Sequence, residues 1–300
     1  MKVLVTGASG FIGLPIVQCL QKQGNKVLAL SRSEPTRTTA SSVTWLQADL
    51  TSPETYQVAI KEFAPQVLIH LAWHGIPDFS FDVSRNNLNQ SLELLSFVIG
   101  LSSCEKVLVS GSCWESNIDK GECLETIIGD AKDHFTWAKI ALYSWLNMMC
   151  KKKDIQLSWM RVFYVYGPRQ KTKSLIPTIL MKLKYGHLPD LQTPNNANDF
   201  VYIDDVADAF AKASSVNNKS GVYNLGSGKS TKVLEVCRIA EKIVLGTDTL
   251  TKDMENKYKD SNSDVDFWAS ASKANKILGW QPKISLEEGI AKTWQWLDSK

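Results

Sequence analysis

The chain has 300 residues, 44% of them hydrophobic, with 34 basic against 31 acidic side chains. That is enough apolar material for one large domain or two tightly coupled ones. The balance is near neutral and the longest basic run is "KKK" at 151–153, at a predicted helix end, which argues against nucleic acid as the main partner.

The six cysteines (19, 104, 113, 123, 150 and 237) have no C-x-x-C spacing, and several fall inside apolar runs. Reduced thiols are expected rather than a disulfide framework. "MKVLVTGASG" breaks at glycine too early for a signal peptide. No run approaches the roughly 20 apolar residues of a membrane span. The expectation is a soluble cytoplasmic protein with no membrane partner.

The first predicted strand is "KVLVT" (2–6), and "VTGASGFIG" directly after it sets Gly7, Gly10 and Gly13 at the opening of a helical pattern, 11–23. Glycines in this context let the backbone turn tightly and approach a pyrophosphate, whose charge rests on the helix N-terminus. The second strand, "KVLALS" (26–31), ends in Ser31 and Arg32, with no carboxylate before Glu34. An NAD site uses an acid there for the ribose 2′-hydroxyl, whereas a hydroxyl and a guanidinium suit a 2′-phosphate. NADP(H) is therefore favoured over NAD(H).

Strands follow at "VTWLQA" (43–48), "QVLIHLA" (66–72), "KVLVS" (106–110) and "IQLSWMRVF" (155–163), with helical patterns near 53–63, 84–101 and 133–152 between them. Continuous Val/Leu/Ile strands separated by helices predict an α/β, doubly wound parallel sheet covered on both faces. After residue 165 the rhythm changes. "YGPRQKTKS" and "GHLPDLQTPNNAND" read as loops, "FVYIDDVADAFAKA" as a strand running into a helix, and "GVYNLG" as a strand. A helix over 231–244, a polar stretch over 247–264 and a final helix over 286–298 complete the chain. The division this predicts is a dinucleotide-binding domain over 1–165, to which 199–226 returns, and a smaller substrate-binding region over 166–198 and 227–300.

Several motifs in this order resemble one family: the T-G-x-x-G-F-I-G loop, "ADL" (48–50), "HLAW" (70–73), "NLNQSLELL" (87–95), "VSGSCWE" (109–115), "RVFYVYGPRQ" (161–170), "NDFVYIDDVADA" (198–209) and "LGWQPKISLEEGI" (278–290). Together they look like an extended short-chain dehydrogenase/reductase, with a Rossmann-type sheet, in the branch of NAD(P)-dependent sugar-nucleotide epimerases, dehydratases and 4-ketoreductases. The resemblance implies that Gly7, Gly10, Phe11, Ile12 and Gly13 hold the pyrophosphate, and that Asp49 and Leu50 flank the adenine. It places Leu71, Ala72 and Trp73 on the ribose side, with Ser110 also at the coenzyme, and Asn87 on the helix behind the site. Ser112 matches the family's catalytic Ser/Thr, Phe135 its Tyr and Lys139 its Lys. In family members the tyrosine moves the alcohol proton during hydride transfer, the lysine binds the nicotinamide ribose and lowers the tyrosine pKa, and the serine donates to the reacting oxygen. Paired long helices, 84–101 and 133–152, imply a homodimer.

The departures carry the most information. In "DAKDHFTWAKIAL" (130–142) Phe135 and Lys139 stand four apart on one helix face. Phenylalanine removes a proton carrier of the kind that contributes roughly 10²–10⁴-fold. Replacement candidates are Ser112, Cys113, Lys139 itself and Tyr164, with Tyr143 too far along the helix and His134 on another face. Phe135 is compatible with a subgroup using another acid, with an engineered block, and with a protein that binds nucleotide without turnover. A 4,6-dehydratase is disfavoured, since Cys113 and Trp114 stand where those enzymes carry Asp-Glu. Asn198 occupies a position where many members place a diphosphate-binding Arg, and 258–270 also lacks the usual arginine; Arg169 and Lys173 are the alternative charges. His74 and Trp114 are further candidates for touching substrate. The histidines show no metal-ligand spacing, and no metal is expected. The reading is a 4-keto reductase of a nucleotide-linked 6-deoxyhexose in polysaccharide synthesis, with an epimerase and a silent NAD(P)-binding protein as alternatives.

Overall fold

Val3–Val5, Leu28–Leu30 and Val67–Ile69 carry no polar side chain, and these runs lie side by side in parallel register. The structure is a computed structural model that describes residues 1–33, 42–127, 129–215, 217, 219–258 and 263–300. Its strands are β1 (Lys2–Thr6), β2 (Lys26–Ser31), β3 (Val43–Gln47), β4 (Val67–His70), β5 (Lys106–Ser112), β6 (Lys120–Cys123), β7 (Gln156–Val162), β8 (Tyr164–Tyr166), β9 (Ala197–Asn198), β10 (Phe200–Tyr202), β11 (Gly221–Leu225), β12 (Thr231–Lys232) and β13 (Asp266–Ala269). Its α-helices are α1 (Gly13–Lys22), α2 (Gln57–Phe63), α3 (Phe81–Ile99), α4 (His134–Lys153), α5 (Leu175–Leu183), α6 (Ile203–Ala213), α7 (Val233–Leu245), α8 (Thr249–Tyr258), α9 (Ser272–Leu278) and α10 (Leu286–Asp298).

Seven strands form one sheet in the order β11-β7-β5-β4-β1-β2-β3, and every pairing in it is parallel. This is the expected doubly wound α/β sheet. One face packs Val3, Val5 and Ile69 with Ile16 and Leu20 of α1 and Phe210 of α6. The other packs Leu4, Leu68 and Val107 with Leu94 and Val98 of α3 and Leu142 and Leu146 of α4. Because both faces are covered, the strands read as unbroken apolar runs rather than as alternating ones.

A parallel sheet delivers all its strand ends to one edge, so the turns after β1, β2, β4 and β5 share a crevice beside the point where the strand order reverses. A four-stranded sheet, β12-β9-β13-β6, and a two-stranded one, β10-β8, stand apart from the main sheet. Their strands of two to four residues are too short to show a periodicity, and the sequence pattern did not predict β6, β9, β12 or β13. The stretch expected to be merely polar, 247–264, contains α8. That helix buries only Thr251, so it lacks an apolar stripe to announce it. Among the described residues no helix is long and apolar enough to cross a membrane.

Candidate active site

The glycine turn packs directly on the strand beside it. Gly7 has φ +67°, and a Cβ there would stand 2.9 Å from the Ala72 backbone nitrogen; at Gly13 it would stand 2.1 Å from the Gly7 carbonyl oxygen. A side chain at Gly7 would strike the backbone of residues 71–72 just after β4, and one at Gly13 would strike the turn's own backbone. The Gly10 amide closes the turn onto the Gly7 carbonyl at 3.0 Å. No side chain caps α1 at Ile12; the Leu14 amide donates to the Gly10 carbonyl at 3.1 Å and Pro15 has no N–H, which leaves the Gly13 amide at the head of the helix for an anion. Phe11 and Ile12 pack instead against the apolar cluster built around α5, α7 and α10.

At the end of β2, the buried Ser31 hydroxyl lies 2.7 Å from that of Ser9 in the glycine turn. Arg32 is exposed, and its Nη1 donates to His74 Nδ1 over 2.9 Å. His74, expected at the substrate, is thus engaged on the β2 side of the crevice. Glu34 lies outside the described residues. Asp49 accepts from the Thr51 amide at 2.9 Å and the Thr51 hydroxyl at 2.8 Å, and these bonds hold its carboxyl below the usual range. Leu50 is half-buried beside it.

Beneath the turn after β4 runs a hydrogen-bond chain whose direction can be deduced. Ser91 Oγ donates to the Asn87 carbonyl at 2.7 Å, so toward His70 Nε2, 3.0 Å away, it must accept. His70 therefore carries its proton on Nε2, and its Nδ1 accepts from the Thr6 hydroxyl at 2.8 Å. That hydroxyl in turn accepts from the amides of Leu71 and Ala72, each at 3.3 Å. The Asn87 side chain completes the frame, accepting from the His74 amide at 2.6 Å and donating to its carbonyl at 2.9 Å. Burial pulls the His70 pKa down to about 3, with the Lys139 charge adding to the effect. The neutral imidazole is thus fixed, and with it the backbone of residues 71–74.

Lys139, from the second turn of α4, is 4% exposed. Its Nζ donates to the Ser110 carbonyl at 2.8 Å and lies 4.0 Å from the Trp73 ring centroid and 5.8 Å from that of Phe135. Burial lowers its pKa to about 8, against an opposing pull from Glu115. Phe135 sits among Trp73, Phe79 and Trp114 at centroid distances of 5.5, 5.1 and 6.5 Å. The expected pairing of Phe135 with Lys139 on one helix face is present, with three aromatic rings about Phe135 and the Lys139 ammonium beside it. Asp133 starts this helix by accepting from the Thr136 amide at 2.7 Å, which sets the phase of both residues.

Ser112 closes β5. Its Oγ accepts from the Trp114 amide at 3.3 Å, and its own amide donates to Glu115 Oε1 at 2.7 Å, forming a reciprocal cap. Tyr164 accepts from Trp114 Nε1 at 3.2 Å, and burial pushes its pKa up to about 12. Cys113 turns away from the crevice into a cluster with Cys123, Phe163, Phe267 and Ala269, where burial drives its thiol pKa well upward. Asn198 lies buried in β9. Arg169 and Lys173 are exposed on the loop before α5, and it is Lys171 that reaches across to the Ile76 carbonyl at 2.6 Å. Sequence reasoning passed over Thr6, His70, Ser91 and Glu115. Glu115 lay inside "VSGSCWE", three residues after Ser112 in the S-x-x-E spacing of a capping box, a signal that marks the turn but not the contacts with Trp159 and Arg161. Among the described residues no group of three or more His, Cys, Asp or Glu is arranged to hold a metal ion.

The description "NAD dependent epimerase/dehydratase family" matches residues 3–226. The chain is 27% identical over 318 residues to a UDP-glucose 4-epimerase of Mycolicibacterium smegmatis, covering 100% of this chain and 99% of that protein. It is 24% identical to a CDP-abequose synthase of Salmonella muenchen over 97% of this chain and 96% of the relative. Among solved structures, the Thermotoga maritima UDP-glucose 4-epimerase with UDP-glucose superposes with a TM-score of 0.85, at 23% identity, over 100% of this chain and 99% of the other.

Proposed function

The chain belongs to the NAD dependent epimerase/dehydratase family, and from that premise we propose that it reduces the 4-keto group of a nucleotide-linked 6-deoxyhexose, preferring NADPH. A nicotinamide dinucleotide fits the residues at hand: the glycine turn leaves room that a Cβ would fill, and no side chain caps the head of α1. When bound, the coenzyme supplies the hydride. Gly7, Gly10, Phe11, Ile12 and Gly13 would hold its diphosphate. Ser31 and Arg32 would take the 2′-phosphate, Asp49 and Leu50 the adenine, and Leu71, Ala72, Trp73 and Ser110 the nicotinamide half.

One observation carries the direction of the reaction: Phe135 stands beside a buried Lys139 where the family resemblance calls for tyrosine. Oxidising an alcohol requires a base for its proton, and this site offers no phenolate. Reducing a ketone requires a proton for the new alkoxide, and an ammonium with a pKa of about 8 holds one at neutral pH. We assign that proton to Lys139, with the Ser112 hydroxyl donating to the reacting oxygen. The wall of Trp73, Phe79, Trp114 and Phe135 suits a methyl group at C6 and the C–H faces of a sugar ring. The regions 166–198 and 227–300, with Arg169, Lys173 and Asn198, would receive the nucleotide. The paired helices α3 and α4, which expose Phe81, Trp137 and Met148, would join two copies.

Two other readings have support. Similarity to named epimerases favours internal epimerisation. The Trp73 ring over the lysine favours a nucleotide-binding protein without turnover. The test is to offer purified protein NADPH or NADH with 4-keto-6-deoxyhexoses on different nucleotides. Stoichiometric coenzyme oxidation, faster with NADPH, is expected. Epimer formation with a coenzyme that stays bound would replace this reading with the second. Coenzyme affinity without any turnover would replace it with the third.

A further inference from the structure

Glu115 carries a buried carboxylate beside the site, with its side chain 2% exposed. It is engaged on both oxygens. Oε1 accepts from the Ser112 amide at 2.7 Å, while Oε2 accepts from Trp159 Nε1 at 2.7 Å and Arg161 Nε at 3.2 Å. The strand behind it is bare where it passes: a Cβ on Gly111 would fall 2.9 Å from Glu115 Oε1 and 2.3 Å from Trp159 Nε1. Burying such a pair costs several kcal/mol of desolvation, and a well-packed apolar replacement is often as stable. Stability alone is therefore a weak reason for this carboxylate to sit here.

Its neighbours supply a stronger one. The groups facing Lys139 are His70 and Trp73 from β4 and the turn after it, the Ser110 carbonyl from β5, and Phe135 on the same helix. Arg161, on β7, stands behind the Glu115 carboxylate, and Tyr143 follows one turn along α4. His70 is neutral, Arg161 is cationic, and burial raises the Tyr143 phenol. Glu115 and Lys139 grip the same end of β5, through the Ser112 amide at 2.7 Å and the Ser110 carbonyl at 2.8 Å. Burial raises the Glu115 carboxyl, while Arg161, Trp159 and the Ser112 amide pull it back toward the charged form, and a tyrosinate at position 135 is absent.

We infer that Glu115 is a positioning residue, which fixes the Ser112 turn through one oxygen and supplies the negative charge facing Lys139 that the missing tyrosine does not. This rests on the reductase reading for its role in turnover, though the geometry is independent of it. Removing the charge leaves desolvation of Lys139 unopposed, so the lysine would lose its proton nearer to neutrality.

The experiment is an NMR titration of the Lys139 side chain, assigned with Lys139→Arg, in the parent, Glu115→Gln and Glu115→Asp, beside the pH dependence of ketone reduction. In Glu115→Gln the lysine midpoint should fall by about one pH unit, with kcat at pH 8 down about fivefold. Glu115→Asp keeps the charge but shortens the reach to Ser112, so its midpoint should stay near the parent's while kcat falls. If Glu115→Gln does not fold with Arg161 left uncompensated, Glu115→Gln with Arg161→Met carries the same titration. A midpoint unmoved in the folded charge-removing variant overturns the inference. A midpoint that falls in a protein without reductase activity upholds the positioning claim and removes the reductase reading.

Discussion

The ammonium of Lys139 rests 4.0 Å from the centroid of the Trp73 indole, so an aromatic face occupies a side of the lysine where water would otherwise lie. A desolvated cation–π contact of this kind contributes about 2 kcal/mol. Its loss would weaken the charged form, but opening the site to water would favour that form, and burial is the largest influence on this group. Trp73→Ala should therefore raise the Lys139 midpoint from about 8 toward its ordinary 10.5. Side-chain NMR titration measures it, and a downward movement would show that the ring, not dehydration, governs the lysine.

Restoring the hydroxyl at Phe135 should separate chemistry from stability. The ring edge is surrounded by Trp73, Phe79 and Trp114, so Phe135→Tyr brings a polar group into an aromatic wall. Leaving that hydroxyl without a partner costs about 1–3 kcal/mol. A phenol beside Lys139 is a better-placed acid, and ketone reduction should rise at least tenfold, less than the full contribution of roughly 10²–10⁴-fold of a positioned acid because Lys139 already supplies a proton. Urea unfolding and initial rates report the two effects separately. A variant both as stable as the parent and no faster would mean that position 135 does not face the reacting oxygen.

How much of this was legible beforehand depended on the length of each signal. β1, β2 and the helix α10 have the bounds their apolar patterns predict, because a run buried on both faces or a stripe over thirteen residues outweighs local accidents. Gly7 and Gly13 were readable because their spacing between β1 and α1 is itself the signal, and at Gly13 the constraint is local, the backbone of Gly7 and Ala8. Glu115 and His70 were not, because their partners come from β7, β1 and α3, and no spacing in the chain encodes those encounters. His74 shows the same limit: its position after β4 suggested the substrate side, and its contact with Arg32, 42 residues earlier, has no signal in the spacing.

That contact leads to a prediction about coenzyme choice. Arg32 is exposed and donates to a neutral nitrogen of His74, a bond that a phosphate would readily replace with a charge-assisted one. If the 2′-phosphate binds here, Arg32→Ala should weaken NADPH by about tenfold or more and leave NADH nearly unchanged, since hydrogen bonds to charged groups contribute about 1.5–3 kcal/mol. His74→Ala should have a smaller effect in the same direction, by freeing the guanidinium to wander. Fluorescence titration with both coenzymes decides it; equal losses for the two would assign Arg32 to something other than the 2′-phosphate.

His70 makes the fold itself sensitive to acid. In the native state its Nδ1 accepts from Thr6, and burial holds its pKa at about 3, while the unfolded chain binds a proton near the ordinary 6.5. Between these values the unfolded state carries more protons, so stability must fall as pH drops. The contribution is complete above pH 6.5 and is lost progressively toward pH 3. From about pH 6.5 to about pH 5 the loss from this one group amounts to about 2 kcal/mol. Urea midpoints at the two pH values should show it in the parent. His70→Asn can still accept from Thr6 but cannot titrate, so its pH slope should be shallower by that amount even though its absolute stability is lower. An unchanged slope would mean that the Thr6–His70–Ser91 chain survives protonation, and that the turn carrying Leu71 to His74 is held by other means.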